Sequence, residues 1–250
     1  MKKYYSTTIL AAAALLSSCG TQIQMTEAVP AQVNLRRGTS ININSSDSDM
    51  VDAFRNRIVK DGFYTLPNDG SEREAFLTVR DITTKVDQQT KAATIAATTE
   101  VTSGGARLYR ERYQVSVPRD YQGHYYVQDA CDRYARDVME DLTPHEKPLY
   151  VRVSGNSKNP DIEKGALACK AGNWELGEVH AKQAIQTDPQ DPEAYYLMGL
   201  IERNKMNYTE STQYFQKAYS LNASSKYTTA ISKNRSMEIN DQHVQQQLQS

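Results

Sequence analysis

Three cysteines and four histidines are the residues of this chain that most readily act as nucleophiles or metal ligands. No histidine lies four residues from another, and none has a cysteine or carboxylate at a metal-ligand spacing; they are His124, His145, His180 and His243. The sequence also lacks a G-x-S-x-G motif, a P-loop and a dinucleotide-binding motif. We therefore predict no catalytic residue, no metal site and no cofactor, and we expect that the protein is not an enzyme.

One predicted helix carries a cluster of acidic residues, namely Asp129, Asp132, Asp137, Glu140 and Asp141. Two carboxylates held close together could act as a general acid and a general base. A charged side facing solvent explains so many acids on one helix better, and we adopt this interpretation.

Two of the cysteines, Cys131 and Cys169, lie on apolar or small-residue faces of predicted helices. In an oxidising compartment they could form a disulfide. Alternatively, each is a buried free thiol. The sequence does not tell us whether their Cα atoms lie within the roughly 7 Å that a disulfide requires, so both alternatives stay open.

The third cysteine, Cys19, follows a segment with the features of an export signal. Lys2 and Lys3 are positively charged, Thr8 to Leu16 is a short apolar run, and Leu16-Ser17-Ser18-Cys19 stands at the cleavage point. This pattern resembles the bacterial lipobox. The resemblance implies that residues 1–18 are a lipoprotein signal peptide and that Cys19 becomes the lipidated N-terminus, carrying acyl chains such as palmitate.

An ordinary signal peptide or a membrane-spanning helix is the alternative to this lipid anchor. The apolar run is shorter than the roughly 20 residues that a spanning helix needs. Residues 20–26 contain no acidic residue, and by resemblance to lipoprotein sorting rules this favours the outer membrane, with the protein facing the periplasm. Residues 19–37 show no regular hydrophobic period, so we predict a lipidated tether there.

The composition is that of a globular protein. With 250 residues, 39% hydrophobic and 24% charged content, the chain is long enough for two domains. The formal net charge is −1, and no basic stripe indicates a nucleic-acid partner.

Residues 38–154 are predicted to form an α+β periplasmic domain in two layers, with a mostly antiparallel sheet and two helices. The predicted order is β-α-β-β-β-β-α-β. The strands are expected at Thr39–Asn44, Phe63–Leu66, Ala75–Val86, Ala92–Val101, Arg107–Val117 and Leu149–Val153, and the helices end at Asp61 and Leu142. This arrangement resembles the periplasmic domains of envelope lipoproteins related to the curli-secretion family.

One sequence pattern occurs twice within residues 158–225, at a spacing of 34 residues. In each copy a helical apolar pattern breaks at a turn and then resumes, which predicts a pair of antiparallel helices. Gly165 recurs as Gly199, and these glycines are predicted to face Gly177 and Ser211 on the second helix of each pair. Small side chains there would let the two helices approach closely.

This pattern resembles the tetratricopeptide repeat (TPR). The resemblance implies an all-α domain of two TPR repeats over residues 158–225. A capping helix and tail over 226–250 would then cover the last apolar face. The whole plan, with its leader and α+β domain, resembles a family of Bacteroidota envelope lipoproteins.

In TPR proteins, fixed positions on the first helix of each repeat line a groove that binds other proteins. Carried onto this sequence, the partner-binding residues are Lys170, Glu193, Tyr196, Leu200, Arg203 and Asn204. Tyr196 and Arg203 are the residue types that most often contribute interface energy. The alternative is that the groove is filled internally, with Tyr196 packed against the α+β domain.

These patterns support three hypotheses about function. The leading one is a lipid-anchored, non-enzymatic envelope scaffold that binds an envelope protein or peptide through its TPR groove. The second is a subunit of an outer-membrane secretion or envelope-assembly complex that oligomerises through the α+β domain. The third is an enzyme of an unrecognised type, located in the α+β domain.

Overall fold

The computed structural model describes residues 20–68, 74–87, 89–90, 92–118, 127–154 and 157–249. The predicted signal peptide, Cys19 and His124 lie outside these residues. Within them the protein is mixed α/β, with seven helices and two sheets. The chain forms two compact units. The sheet unit contains Val29–His145 and 242–249, and the helical unit contains 20–28 and Glu146–Asp241.

The strands and helices are numbered in chain order. The strands are β1 (Thr21–Val29), β2 (Ile41–Ser45), β3 (Ala75–Val86), β4 (Ala93–Ser103), β5 (Ala106–Val117) and β6 (His145–Val153). The helices are α1 (Ser48–Asp61), α2 (Val127–Leu142), α3 (Pro160–Lys170), α4 (Trp174–Thr187), α5 (Pro192–Asn204), α6 (Tyr208–Leu221) and α7 (Ser225–Gln249).

A four-stranded sheet in the order β2-β3-β4-β5 forms one layer of the sheet unit. β2 runs parallel to β3, and the other neighbours are antiparallel. Gly104 and Gly105 join β4 to β5 with φ values of 56° and 80°. A two-residue hairpin turn of this kind needs positive φ at both central positions, which glycine adopts without steric cost. A two-residue turn therefore joins the two strands that the sequence predicts on either side of it.

Two helices pack against this sheet. The Asp47 carboxylate caps α1 by accepting a hydrogen bond from the Met50 amide, and Gly62 ends the helix in the left-handed conformation. Apolar residues of both helices and of β3 and β4 form one core. The hydroxyl of Tyr134 on α2 donates to the Ala97 carbonyl of β4 within this core. The predicted pairing of a mostly antiparallel sheet with two helices is confirmed.

Phe63–Leu66, which the sequence predicts to be a strand, is a loop in the structure. Thr65 forms an isolated bridge with Ser40. The consecutive residues Phe63 and Tyr64 are both buried, and the Tyr64 hydroxyl donates to the Leu142 carbonyl. Aromatic residues are common in strands, but here they anchor a loop to the core. The composition of this segment therefore led to the wrong prediction.

The prediction of a tether over residues 19–37 is wrong for residues 21–29, because β1 is a strand that pairs with β6. Ile23, Met25 and Glu27 alternate along its buried side. Ile23 and Met25 belong to the core of the helical unit. The period of two was present in the sequence, but a carboxylate at the third inward position obscured it.

The last predicted strand, Leu149–Val153, also differs from the prediction. β6 begins earlier, at His145, and nearly all of it belongs to the helical unit rather than to the predicted α+β domain over 38–154. The reason is its partner: β6 pairs with β1, whereas the four-stranded sheet consists of other strands.

Five helices complete the helical unit. α3 and α4 form one hairpin, α5 and α6 form a second, and α7 follows. Asn159 and Asp191 cap α3 and α5, and a proline begins each of these helices. The predicted helical C-terminal part is therefore confirmed.

The glycines of the repeat lie where the helices of each hairpin approach closely. A Cβ atom added to Gly177 would lie 2.3 Å from the Cys169 sulfur, and one added to Gly199 would lie 2.4 Å from the Phe215 ring. Ser211 donates a hydrogen bond of 2.8 Å to the Gly199 carbonyl. The predicted close approach is confirmed in both hairpins.

Candidate binding groove in the helical unit

Most of the residues predicted to bind a partner are buried in the helical unit. Glu193, Tyr196, Leu200 and Arg203 are buried on α5, whereas Lys170 and Asn204 are exposed at helix ends. A buried side chain cannot contact another protein unless its surroundings open. Glu193, Tyr196, Leu200 and Arg203 therefore pack within the helical unit, and their predicted role in binding a partner stays a prediction.

α7 covers the middle of α5. The ring centroid of Tyr196 lies 5.6 Å from that of Phe215 and 5.6 Å from that of Tyr227. The Lys226 ammonium lies 3.9 Å from the centre of the Tyr196 ring, which is a favourable cation–π distance. Burial raises the pKa of Tyr196 to about 12. Tyr196 is thus a core residue of the helical unit.

Arg203 is also a core residue, with 2% of its surface exposed. Its Nε donates to Asn234 Oδ1 at 3.0 Å, and its Nη2 donates to the Ala230 carbonyl at 2.6 Å. The guanidinium carbon lies 4.7 Å from the centre of the Phe215 ring. Burial lowers the pKa of Arg203 to about 10, so the side chain keeps its charge at neutral pH. These contacts connect α5 to α6 and α7.

Asn234 of α7, which the sequence analysis did not single out, lies at the centre of this network. Its Oδ1 accepts hydrogen bonds from Arg203 and Ser211. Its Nδ2 donates to the Tyr208 carbonyl and the Thr212 hydroxyl. The sequence did contain one indication of this network, since Asn234 lies among the apolar positions of α7. A buried asparagine needs hydrogen-bond partners, so this position indicates polar contacts with the neighbouring helices.

Glu193 fixes the first turn of α7. Its carboxylate accepts hydrogen bonds from the Lys226 ammonium, the Tyr227 hydroxyl and the Ser154 amide, at 2.7, 2.7 and 2.8 Å. Burial lowers the pKa of Lys226 despite the attraction of Glu193. Burial, together with the bond to Glu193, raises the pKa of Tyr227. Glu193 therefore joins α5, α7 and the residue that follows β6.

A second buried carboxylate belongs to Glu27 of β1, which is 4% exposed. The Lys147 ammonium lies 3.0 Å from one of its oxygens, and Lys233 of α7 pairs with the other. Burial raises the pKa of Glu27, but the two lysines together lower it more, and the resulting pKa lies below its ordinary value. Glu27 thus holds Lys233 beside the two-stranded sheet.

A cavity of about 670 Å³ lies between β6 and α7. We call it the β6–α7 groove. Its lining residues are Leu149, Tyr150, Val151, Arg152, Ser154, Tyr196, Arg203, Ser225, Lys226, Thr229, Ala230 and Lys233. Four of these residues are basic and none is acidic. Because Glu193 and Glu27 position Lys226 and Lys233, the groove is a preformed basic site.

A second cavity, of about 510 Å³, lies in the sheet unit between α1 and α2. Its lining mixes basic residues such as Arg57, Arg133 and Arg136 with the acidic Asp129 and Asp132. Arg57 and Arg133 already pair with other carboxylates, at 2.8 and 3.8 Å. This cavity therefore has no net preference for either sign of charge.

The five acidic residues on α2 have three kinds of surroundings, and the half-buried Asp137 pairs with Arg133 and Arg136. Asp129, Asp132 and Glu140 are exposed, in agreement with the predicted solvent-facing side. Asp141 instead accepts hydrogen bonds from the hydroxyls of Tyr109 and Tyr113 on β5. Burial, together with these bonds to Asp141, raises the pKa of both tyrosines. Asp141 therefore connects the helix to the sheet.

Cys131 and Cys169 are both buried free thiols, so the disulfide alternative is not realised. Burial raises the pKa of each thiol to about 12. Nδ1 of His180 lies 3.2 Å from an oxygen of Asp161. Within the described ranges, no three metal-ligating side chains form a group that could hold an ion.

No helix in the described part of the chain is long and apolar enough to cross a membrane. No family model matches the sequence, and no curated protein matches it. The chain is similar to the crystal structure of a minor lipoprotein from Acinetobacter baumannii. The TM-score is 0.33 and the identity 13%, over 43% of this chain and 91% of that chain. A similarity with so low a TM-score supports no inference about this chain.

Proposed function

We propose that this protein is a lipid-anchored, non-enzymatic scaffold of the bacterial outer membrane that faces the periplasm and binds another envelope protein or peptide. The helical unit carries the binding site, which is the β6–α7 groove, and Tyr196 and Arg203 of α5 form part of its wall. The observation that carries this proposal is the groove itself: a preformed cavity with four basic residues, no acidic residue and the largely exposed Tyr150 at its border.

The arrangement of the helices supports the assignment of two TPR repeats. The glycine positions recur after 34 residues, and each lies at a close approach of helices. Stacked helix pairs need a cap, because the last pair otherwise exposes an apolar face. α7 buries Tyr227, Ala230 and Met237, as a capping helix should. Scaffold proteins commonly use such stacked pairs to bind other proteins.

Because β1 belongs to the helical unit, the proposed lipid anchor is separated from the folded protein by only a few residues. Ile23, a core residue of the helical unit, follows Cys19 by only four residues. Four extended residues span at most about 14 Å. Several acyl chains on Cys19 would give a stable anchor. The proposed scaffold therefore holds its helical unit close to the bilayer surface instead of at the end of a long tether.

The state of the thiols is consistent with a non-enzymatic role. A nucleophilic cysteine needs a thiolate, which a low pKa and an accessible position provide. Both described cysteines have the opposite properties, since burial raises the pKa of each to about 12.

A pair of threonine variants tests the binding site. Thr228 and Thr229 are both exposed on α7, but only Thr229 lines the groove. We expect Thr229→Trp to fill the groove and to abolish crosslinking of the anchored protein to its partner in intact cells. Thr228→Trp is the matched control and should leave crosslinking unchanged. Equal crosslinking by both variants would show that the groove is not the binding site.

A cysteine variant tests the anchor. Cys19→Ala removes the thiol that would receive the lipid. We expect this variant to accumulate as uncleaved or soluble precursor in fractionated cells. Recovery of mature Cys19→Ala protein in the outer-membrane fraction would contradict the proposed anchor.

The assembly-subunit hypothesis has one observation in its favour. Among the described residues, β5 pairs only with β4, so β5 is an edge strand of 12 residues. Open strand edges can pair with other chains, although the charged residues of β5 oppose this. Size-exclusion chromatography with light scattering separates the hypotheses: a defined oligomer favours the assembly subunit, and a monomer favours the scaffold.

A further inference from the structure

We infer that the β6–α7 groove binds an extended acidic segment of a partner polypeptide, which adds to β6 as a third strand. This inference rests on the proposed function of partner binding, and it names the conformation and the charge of the bound segment.

The first supporting observation is the open edge of β6. In the described chain β1 is the one strand that pairs with β6, and their sheet has two strands. The groove is lined by the consecutive residues Leu149, Tyr150, Val151 and Arg152. Successive residues of a strand point to opposite faces, so a cavity that touches all of them follows the edge of the strand. No residue of β1 lines it, which places the groove on the unpaired side of β6.

The second observation is the length of this edge. The groove follows β6 over the four consecutive residues Leu149 to Arg152. Four residues at about 3.3 Å each give about 13 Å, which is enough for pairing with a short strand. A polypeptide laid along this edge would form main-chain hydrogen bonds with β6. Every second side chain would face α7.

The third observation is the charge of the groove. Arg152, Arg203, Lys226 and Lys233 line it without any acidic residue. Arg152 is exposed and forms no ion pair with the described residues. The first turn of α7, which begins at Ser225 beside the groove, contains no acidic residue, so the positive end of the helix dipole adds to the field. The complementary segment is therefore acidic.

The fourth observation is that two of the lysines are already held in place. Lys226 is fixed by Glu193, and Lys233 is fixed by Glu27. Side chains that are ordered before binding lose less conformational entropy when a ligand arrives. Net positive charge remains, because the carboxylates number two and the lining cations number four.

An anionic lipid headgroup would share the charge of such a segment but not its shape. A strand edge offers a row of backbone donors and acceptors that an extended polypeptide matches and a compact headgroup does not. The observations therefore favour a polypeptide, and the lipid is an outcome that the experiment distinguishes.

Three labelled hexapeptides test the inference against the full-length protein in detergent, with fluorescence anisotropy as the readout. The first alternates glutamate and valine, the second is its N-methylated form, and the third replaces each glutamate with lysine. We expect the acidic peptide to bind, N-methylation to weaken binding about tenfold through lost main-chain hydrogen bonds, and the lysine peptide not to bind. Arg152→Glu should weaken binding of the acidic peptide about tenfold. Thr229→Trp should abolish it, and Thr228→Trp should leave it unchanged.

Several results would overturn the inference. Equal binding of the N-methylated peptide would exclude strand addition, and equal binding of the lysine peptide would exclude charge recognition. If no peptide binds but phosphatidylglycerol vesicles bind in a way that Thr229→Trp abolishes, the groove recognises lipid. If no peptide binds while crosslinking in cells still depends on Thr229, the inference fails and the proposed scaffold function stands. Loss of both peptide binding and Thr229-dependent crosslinking removes both.

Discussion

The two helical hairpins share one plan but fill equivalent positions with different chemistry. At the 34-residue offset, the small residues Cys169, Gly177 and Ala181 of the first hairpin correspond to Arg203, Ser211 and Phe215 of the second. In the first hairpin a Cβ at Gly177 would lie 2.3 Å from the Cys169 sulfur, so backbone and thiol are in tight contact. In the second hairpin a charged and aromatic cluster occupies the same positions.

The difference shows how the two hairpins are stabilised. The first hairpin closes on itself through small side chains. The second places Arg203 and Ser211 beside Asn234 of α7, whose Oδ1 accepts a hydrogen bond from each. A buried polar network stabilises a fold when every member has a partner and destabilises it when one is removed. We therefore expect the second hairpin to depend on α7 more than the first does.

The largest expected effect follows from removing Arg203. Arg203→Ala removes one of the two donors to Asn234 Oδ1 and the side-chain donor to the Ala230 carbonyl, and it opens a cavity beside Phe215. We expect a loss of about 3–4 kcal/mol in the free energy of unfolding. Urea unfolding followed by the fluorescence of Trp174, the one tryptophan of the chain, measures it in the helical unit.

Arg235→Ala is the control for this change, because Arg235 is an exposed arginine on α7. It should alter the free energy of unfolding by less than about 0.5 kcal/mol. If both variants lost similar free energy of unfolding, the buried hydrogen bonds of Arg203 would contribute no more to stability than an exposed arginine does.

The next prediction concerns the first hairpin. Gly177→Ala places a methyl group against the Cys169 sulfur, and we expect a loss of about 2 kcal/mol from overpacking. The double variant Gly177→Ala with Cys169→Ala removes the obstructing sulfur and should recover more than half of that loss. Purely additive losses would show that the sulfur does not set the spacing of this hairpin.

The sequence alone predicts those parts of the fold that depend on residues close together in the chain. The end of α1 at Asp61 and the helix pairs of the 34-residue repeat depend on residues close together in sequence, and the structure contains both. The groove was not predictable in this way. β6 and α7 lie about 70 residues apart in sequence, and their approach depends on tertiary pairing that no local signal encodes.

Two particular residues explain the remaining errors. Glu27 interrupted the alternation of β1, since a buried carboxylate is acceptable only when cations from distant elements reach it. Tyr196 was predicted to bind a partner because aromatic residues often contribute interface energy. In the structure, Tyr227 and Lys226 of α7 pack against its ring. The residue types indicate an ion pair for Glu27 and an aromatic contact for Tyr196. Tertiary packing determines which residues make those contacts.

The third prediction extends the comparison to β1, which Glu27 joins to α7. The pKa of Glu27 is lower in the folded protein than its ordinary value of 4.5. The folded state therefore favours the ionised carboxylate. Its contribution to stability is complete above the unfolded pKa and disappears as the pH falls through the folded pKa.

We expect Glu27→Gln to reduce the free energy of unfolding by about 1.5–2 kcal/mol at pH 7, because a charged acceptor is lost from two lysines. The difference from the original protein should shrink steadily below about pH 4.5. Glu146→Gln on β6 is the control, since Glu146 is exposed and its replacement should leave the free energy of unfolding at pH 7 nearly unchanged. A constant difference from pH 7 to pH 3 would contradict the role of Glu27 as an ionised partner of Lys147 and Lys233.

The smallest expected effect comes from the turns inside the two hairpins. Gly172 has a φ of 82°, and Met206, at the equivalent position of the second hairpin, has a φ of 63°. A side chain in the left-handed region costs about 1 kcal/mol, and Met206 is 69% exposed, so little packing offsets this strain. Met206→Gly should therefore stabilise the protein by about 0.5 kcal/mol, because glycine relieves the strain but adds entropy to the unfolded chain.

The reciprocal Gly172→Met should destabilise it by about 1 kcal/mol through the backbone alone, since a Cβ at Gly172 would meet no atom within 4 Å. Thermal unfolding of both variants, followed by Trp174 fluorescence, measures the pair. Destabilisation by Met206→Gly would instead show that the second hairpin needs the methionine side chain, and that its turn is not equivalent to that of the first.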